Sequence, residues 1–289
     1  MLTRGGGMQA TASAAGAGTV LNAFATHRGA AFAVDLRTTA HVQLEEGAPF
    51  TGEISGHPDG DTRLVEECVR RTLEAVGVED VGGAVVTEGP VPIAAGLKSS
   101  SAAANATVLA TAAATDNELA PLEACRIGVA AARAVGVTVT GAFDDAAASM
   151  LGGLVLTDND EDELLLRDDP DWAVLIWIPP EQAYSADARL DHIPSIERTA
   201  KLAEELIRAG RYGEAMTLNG LAYTAALGYD PEPLLEALMF VETATLSGSG
   251  PAMVACGRHE QLEELADVWG DRPGELLRTE TTDVGGTYT

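Results

Sequence analysis

The chain has 289 residues, of which 46% are apolar, and this size and composition fit a folded protein of one or two domains. Neither a membrane span nor a secretory signal is predicted, because no apolar run reaches roughly 18 residues and Met1–Met8 lacks an apolar core. A net charge of −26, from 18 basic and 44 acidic residues, argues against nucleic acid as a partner, since phosphate backbones are bound by clustered Lys and Arg.

The acidic residues are spread along the whole chain, and its only lysines are Lys98 and Lys201. A dispersed acidic coat with few lysines suits a protein in concentrated salt, because strong screening removes the repulsion between like charges. The cysteines Cys68, Cys125 and Cys256 have neither paired nor metal-ligand spacing, which indicates buried thiols in a reducing compartment. We therefore expect a cytoplasmic protein from a salt-rich cell.

Hydrophobic periodicity predicts a mixed α/β first half. Short strands are expected at about residues 31–36, 39–44 and 84–88, and a helix at 62–76. A Gly/Pro loop at 89–96 leads into an alanine-rich helix at 100–115 and a helix at 121–134, which begins with a proline in the favoured first position. An extended segment at 137–140, a helix at 142–150 and a strand at 154–157 follow.

The acidic stretch Asp158–Glu163 marks the expected boundary between two domains, residues 1–157 and 158–289, with residues 1–7 outside the folded part. The second domain is expected to open with a strand at 172–178 and to continue through three helices between 195 and 241. It then returns to short strands around 248–250. Helices and strands segregated in this way are typical of an α+β unit.

The segment Pro92–Ala104, with the sequence Pro-Ile-Ala-Ala-Gly-Leu-Lys-Ser-Ser-Ser-Ala-Ala-Ala, has the features of an anion site. It enters a predicted helix, whose first N–H groups are unpaired and carry partial positive charge. Gly96 permits close approach of the backbone to a ligand, the serines can donate hydrogen bonds, and Lys98 adds a positive charge. The simpler alternative is that Ser99 or Ser100 is only the N-cap of the helix. The segment does not match a Walker A loop, because a leucine separates the glycine from the lysine.

The pattern Pro-x-x-x-Gly-Leu-x-Ser-Ser-x-Ala in this segment resembles the central phosphate-binding motif of the GHMP kinases. Lys98 stands where that motif usually has glycine, and Gly-Leu-Lys-Ser-Ser-Ser-Ala resembles the archaeal shikimate kinases of the same superfamily. The resemblance implies that ATP is the phosphoryl donor and that Ser100 and Ser101 are candidates to bind Mg²⁺. The residues that it assigns to ATP and its phosphates are Pro92, Ile93, Ala94, Ala95, Gly96, Leu97, Lys98, Ser99, Ser100, Ser101 and Ala102.

A second segment, Thr138–Gly153, resembles the aspartate motif of the mevalonate kinase branch, Gly-x-Asp-x-x-x-Ser-x-x-Gly-Gly. Matching back from the final glycines places the catalytic aspartate on Asp145, with Asp144 as the alternative. An aspartate beside a substrate hydroxyl can accept its proton during attack on the γ-phosphoryl group, while Lys98 and Mg²⁺ stabilise the transferred charge. Both aspartates could instead only cap the helix that follows.

Two further segments extend the resemblance towards both ends of the chain. Leu246–Ala255, an ordinary tight turn by itself, resembles the carboxy-terminal glycine motif of the family. Ala15–Thr38 resembles the first motif in its archaeal shikimate kinase form, which lines the acceptor pocket. Arg37 is the candidate for the substrate carboxylate, with a solvated strand residue as the alternative. The substrate-binding residues expected from the resemblance are Asn22, Asp35, Arg37, Thr140, Gly248 and Gly250.

The resemblance implies a two-domain α/β fold, with a first domain like domain 2 of ribosomal protein S5 and a ferredoxin-like second domain. It implies a kinase that transfers the γ-phosphoryl group of ATP to the 3-hydroxyl of shikimate, with Asp145, Lys98 and Asp144 as catalytic residues. Homoserine, pantoate or mevalonate kinases are alternatives, because the phosphate motif indicates that ATP is bound but says less about the identity of the acceptor. A metabolite sensor of the same fold is the alternative outside the enzymes, although a sensor needs neither Lys98 nor Asp145. No oligomeric state is predicted.

Overall fold

A computed structural model describes residues 8–90, 96–180 and 190–288, which form two β-sheets with helices packed on both. No helix in this part of the chain is both long and apolar enough to span a membrane. The strands are β1 (Met8–Leu21), β2 (Arg28–Glu46), β3 (Phe50–Ile54), β4 (Val81–Glu88), β5 (Leu154–Asp158), β6 (Glu163–Asp168), β7 (Ala173–Ile178), β8 (Thr243–Leu246), β9 (Met253–Gly257), β10 (Glu275–Glu280) and β11 (Thr287–Tyr288). The helices are α1 (Arg63–Ala75), α2 (Ser99–Ala114), α3 (Pro121–Val135), α4 (Phe143–Leu151), α5 (Glu197–Arg208), α6 (Tyr212–Leu227), α7 (Glu232–Ala237) and α8 (His259–Gly270), with a short 3-10 helix at Ile193–Ile196.

The first sheet contains the strands of the amino-terminal half together with β11. Its order is β11-β1-β2-β4-β3, and β5 pairs with β2 and with β6. Neighbouring strands are antiparallel except β3 and β4, which are parallel. The long strand β2 pairs with β5 over residues 28–32 and with β4 over residues 39–46. It therefore joins both groups of strands into one sheet.

The alanine-rich helix α2 packs against β1 and β2, and most of its residues are buried. Alanine and glycine also dominate β1, and their small side chains allow the helix and the strand to pack closely. Leu97, which is 1% exposed, anchors the loop before the helix in the core, and its carbonyl accepts a hydrogen bond from Ala17 N–H at 3.3 Å. The start of α2 is therefore fixed against the sheet.

The second sheet has the order β10-β7-β9-β8, with antiparallel neighbours, and helices α6 and α8 pack on it. Its apolar core continues into the first sheet, because Phe32 and Leu154 belong to the same buried cluster as Ile176 and Tyr223. The two halves of the chain thus share a core. The division into domains at residue 157 stays a prediction.

The predicted helices of the first half are confirmed with their ends shifted by about one residue, and the three helices between 195 and 241 are α5, α6 and α7. The two strands predicted at 31–36 and 39–44 are wrong as separate elements, because the polar residues between them stay within β2. The extended segment predicted at 137–140 is a loop. Periodicity did not predict β1, β3, β6, α8, β10 or β11.

Candidate active site

Helix α2 begins at Ser99, and the residue before it, Lys98, takes the left-handed conformation with φ 62° and ψ 30°. Lys98 is therefore the N-cap, and its side chain makes no capping hydrogen bond. The alternative that Ser99 or Ser100 only caps the helix is wrong, because both lie inside its first turn. Their backbone N–H groups have no partner within the helix, so this end of α2 can bind an anion.

Lys98 and Asp145 form an ion pair between the starts of α2 and α4. Lys98 Nζ lies 2.8 Å from Asp145 Oδ1, and the two side chains are largely buried, with exposures of 8% and 13%. The carboxylate therefore contacts a cation directly, at the amino ends of two helices. The lysine therefore holds the carboxylate in place by opposite charge.

Asp144, the neighbouring residue on α4, lies in the protein interior and is 4% exposed. Its Oδ1 accepts a hydrogen bond from Asn159 Nδ2 at 2.8 Å, and a Cβ at Gly29 would lie 2.4 Å from its Oδ2. Burial, and then the charge of Asp145, raise the pKa of Asp144 from its ordinary 3.8 to about 7. The two aspartates thus have different environments: Asp145 contacts Lys98, whereas Asp144 is enclosed.

The glycine turn at residues 247–250, between β8 and β9, contacts the loop before α2. Ser247 Oγ–H donates to the Gly96 carbonyl at 2.8 Å, and Gly248 N–H donates to Thr19 Oγ1 at 2.8 Å. Gly96 has φ 82°, and a Cβ there would lie 2.2 Å from the carbonyl oxygen of Ser247. A larger residue at position 96 would therefore push the turn away from the phosphate segment.

Asn22, just after β1, connects the glycine turn to helix α6. Its Nδ2–H donates to the Gly248 carbonyl at 2.8 Å, and its backbone N–H donates to Asn219 Oδ1 at 2.8 Å. Tyr223 OH donates to the Asn22 carbonyl at 2.8 Å. Asn22 thus lies beside the site, and one of its two amide protons is used by the turn.

Arg37, the candidate for the substrate carboxylate, binds the segment 284–287. Its guanidinium donates hydrogen bonds of 2.5 to 3.3 Å to the carbonyls of Ser13, Val284 and Gly285 and to the hydroxyls of Ser13 and Thr287. The alternative of a solvated strand residue is therefore wrong. The assignment to the substrate carboxylate stays a prediction, and these contacts count against it.

The remaining predicted residues have varied positions. Asp35 is exposed on β2, and Ala102 is fully buried in α2. Thr140 is half-buried just before α4, and its Oγ1 accepts a hydrogen bond from Ala142 N–H at 3.4 Å. Gly250 N–H closes the glycine turn by donating to the Ser247 carbonyl at 3.0 Å. Four predicted residues, Pro92, Ile93, Ala94 and Ala95, lie outside the described residues.

Sequence reasoning missed three residues that bind the parts of the site together: Thr19, Asn159 and Ser247. Each makes a hydrogen bond to a residue that is distant in the sequence or on another element. Thr19 and Ser247 lie inside predicted motifs, so a polar residue close to a motif glycine was the available signal. Asn159 lies in the acidic stretch after β5, where nothing in the sequence separates it from its neighbours.

Comparisons with known proteins identify the family. Residues 63–153, which span α1 to α4, match the GHMP kinases N terminal domain. The crystal structure of a homoserine kinase from Cytophaga hutchinsonii superposes with a TM-score of 0.80 at 16% identity over 100% of both chains. The shikimate kinase of Halobacterium salinarum is 51% identical, over 98% of this chain and 100% of its own length. That of Methanosarcina acetivorans is 51% identical, over 89% of this chain and 88% of its own.

The chain belongs to the GHMP kinase family. Within that family it groups with the archaeal shikimate kinases, as the Lys98 segment predicted. The predicted fold class is confirmed, since the chain has mixed α/β content, two sheets and full-length similarity to a kinase of this fold.

Proposed function

We propose that this chain is an ATP-dependent kinase that transfers the γ-phosphoryl group to the 3-hydroxyl of shikimate. The observation that carries the proposal is the Lys98–Asp145 pair, which places a positive charge and a proton acceptor beside an anion-binding helix end. Relatives named shikimate kinase, at 51% identity, support the acceptor. A sensor without turnover would need neither side chain of this pair.

In the proposed reaction the ATP phosphates bind at the amino end of α2, where backbone N–H groups and Lys98 neutralise their charge. Asp145 accepts the proton of the shikimate hydroxyl as the hydroxyl oxygen attacks the γ-phosphorus. A new O–P bond forms, the bond from the γ-phosphorus to the bridging oxygen breaks, and ADP leaves with that electron pair. Lys98, 2.8 Å from Asp145, orients the carboxylate at this helix end.

Mg²⁺ is the expected companion of ATP, and its proposed protein ligands are Ser100 and Ser101. Among residues 8–90, 96–180 and 190–288, no group of three or more His, Cys, Asp or Glu could hold a metal ion. Mg²⁺ in nucleotide sites needs no such group, because phosphate oxygens and water supply most of its ligands. Both serines lie in the first turn of α2, and Ser100 is exposed. Their hydroxyl oxygens are ligands of the kind that Mg²⁺ prefers. When bound, Mg²⁺ would neutralise charge on the transferred phosphoryl group.

We propose that the acceptor binds in a pocket formed by the end of β1, the glycine turn and the start of α4. Among the described residues, Asn22 Nδ2 donates only to the Gly248 carbonyl, and Thr140 lies just before α4. Each can bind a hydroxyl group of the acceptor. Asp35, Gly248 and Gly250 remain proposed contacts from the family resemblance.

A coupled ADP-release assay in molar KCl tests the proposed function, with Mg-ATP and shikimate, homoserine, pantoate or mevalonate in turn. We expect turnover with shikimate, because the relatives at 51% identity carry that name. Turnover with another acceptor and none with shikimate would make the acceptor assignment wrong. Binding of ATP with no turnover on any acceptor would favour the sensor.

Arg37 gives a second test, because its contacts with the segment 284–287 indicate that it stabilises the fold. Replacement of Arg37 by methionine should lower the free energy of unfolding by about 2 kcal/mol, through loss of charged hydrogen bonds to the segment 284–287. The KM for shikimate should stay within about twofold of the wild type. Chemical unfolding and initial rates in the same KCl buffer measure both quantities, with Arg198→Met on the exposed face of α5 as control. A large rise in KM at unchanged stability would instead assign Arg37 to the carboxylate.

We also propose that the protein works in a salt-rich cytoplasm. A net charge of −26 supports it, because such a charge opposes compaction unless salt screens it. Three buried free cysteines fit a reducing compartment.

A further inference from the structure

The turn between β5 and β6 fixes the backbone of Asn159 on both sides. Its N–H donates to the His27 carbonyl at 2.9 Å. Its own carbonyl accepts a hydrogen bond from Arg133 Nη2 at 2.9 Å, and Arg133 also pairs with Asp162, 2.6 Å from Nη1 to Oδ2. The backbone of Asn159 is therefore anchored to the residue that precedes β2 and to α3, independently of its side chain.

The side chain of Asn159 is 1% exposed and makes three hydrogen bonds. Nδ2–H donates to Asp144 Oδ1 at 2.8 Å. Oδ1 accepts from the backbone N–H of Asp144 at 3.2 Å and from the hydroxyl of Thr157 at 2.7 Å. The amide thus binds both the backbone and the carboxylate of one aspartate, and Thr157 sets its orientation.

Helix α4 lacks a cap of its own, which gives these bonds their importance. Its N-cap, Ala142, has φ 51° and no side-chain hydrogen bond to offer. Asn159 supplies the missing acceptor from another element by binding the N–H of Asp144 in the first turn. Asp145 follows Asp144 directly, about 100° further round the helix, so the orientation of the first turn decides where Asp145 points.

We propose that Asn159 is a positioning residue of the phosphoryl-transfer site, which holds Asp144 and the first turn of α4 so that Asp145 meets Lys98. The inference rests on the proposed kinase function. Asn159 acts through Asp144 and not on the reacting atoms, which distinguishes it from Lys98 and Asp145.

The charged and titratable groups that face Asp144 come from several elements. Asp145 is on the same helix, and Lys98 comes from the start of α2. Tyr223 of α6 lies near enough that the Asp144 charge adds to burial in raising the pKa of its hydroxyl. Arg28 and Asp158, which pair with each other, flank Gly29 and Thr157 at this end of β2 and β5. Within this group the bond from Asn159 favours the ionised form of Asp144.

The test is the carboxyl carbon titration of Asp144 in protein labelled with ¹³C-aspartate, in molar KCl, with Asp144→Asn to assign the signal. In the wild type the pKa of Asp144 is expected at about 7. In Asn159→Leu the midpoint should rise by about one pH unit, because the donor to the carboxylate is lost. The kcat with shikimate should fall about tenfold to a hundredfold with little change in KM, because Asp145 is displaced from the position in which it accepts the hydroxyl proton.

Asn105→Ala is the matched control, because it removes another buried amide that binds the same helix. Asn105 Nδ2–H donates to the Ala146 carbonyl of α4 at 2.9 Å and does not bind the Asp144 carboxylate. General loosening of α4 would therefore occur in both variants, whereas the Asp144 midpoint should move only in Asn159→Leu. An equal shift in both variants, or no shift in folded Asn159→Leu, would overturn the proposal.

Thr157→Val provides the test if Asn159→Leu does not fold, since it removes only the hydroxyl that orients the amide. It should raise the Asp144 midpoint by a smaller amount, and an unchanged midpoint overturns the proposal. The titration needs no turnover, so it tests the positioning role of Asn159 separately from the proposed shikimate kinase activity. Loss of the shikimate assignment would leave the midpoint shift intact, whereas failure of the Asn159 inference would leave the wild-type turnover intact.

Discussion

Replacement of Asp145 by asparagine is expected to reduce kcat about a hundredfold to ten-thousandfold, while ATP still binds. Asparagine keeps the size of the side chain but cannot take the proton of the acceptor hydroxyl. It also removes the ion pair with Lys98, so the lysine is left free to bind phosphate. ADP release measures the loss of turnover, and calorimetric titration with ATP in the same KCl buffer measures binding.

Asp144→Asn is the matched control for this variant. Burial, and then the charge of Asp145, raise the pKa of Asp144, which favours the neutral acid, and an amide resembles that form. The amide oxygen can still accept the hydrogen bond from Asn159. The kcat should therefore fall much less than in Asp145→Asn. The reverse order of the two losses would move the base to Asp144.

Replacement of Lys98 by methionine is expected to lower kcat about a hundredfold to a thousandfold and to weaken ATP binding as well. Methionine retains most of the length of the side chain but removes the positive charge at the amino end of α2. It also leaves Asp145 largely buried without its cation and close to Asp144, so the free protein should be less stable. Rates, ATP titration and thermal unfolding in constant KCl measure these effects.

Lys201→Met is a close control, because the chain has only one other lysine. Lys201 is on the surface of α5, its side chain is 61% exposed, and it pairs with Glu197 one turn earlier. Surface pairs of this kind contribute little to stability. Activity and ATP affinity should stay at the wild-type level. An equal loss in both variants would show that the effect of Lys98→Met comes from the change in the net charge of the protein and not from the position of Lys98.

The helices were the most predictable part of the fold, because their ends carry local signals. Helix α3 begins at Pro121 and is capped by Gly136 in the left-handed conformation, and both residues can be identified from the sequence. Strand β1 gave no such signal. Its residues 12–21 are all buried, so the alternation of apolar and polar residues that reveals a half-exposed strand is absent.

The residues of the site were predictable by type but not by partner. The motifs pointed to Lys98 and to one of two adjacent aspartates. Their pairing depends on the starts of α2 and α4 meeting, and the choice between Asp144 and Asp145 depends on burial. Both are tertiary properties, and two neighbouring residues of one type give no local signal for them.

Arg37 shows the opposite case, in which the side chain has partners in the protein that its chemistry did not predict. A guanidinium near a substrate pocket is a natural ligand for a carboxylate. Backbone carbonyls satisfy the same donors, and the segment 284–287 provides them from the other end of the chain. No property of the sequence around Arg37 predicts that its partner is the segment 284–287.

The strand β11 has a consequence for exchanging parts between relatives. It pairs with β1 through Ser13 and Thr287, which are 274 positions apart, and Gly286 N–H donates to the Met150 carbonyl near the end of α4 at 2.9 Å. The first sheet and helix α4 are thus completed by residues translated after the whole second sheet. A chimera that joins the first half of one relative to the second half of another should therefore take residues 281–288 from the parent that supplies the first half.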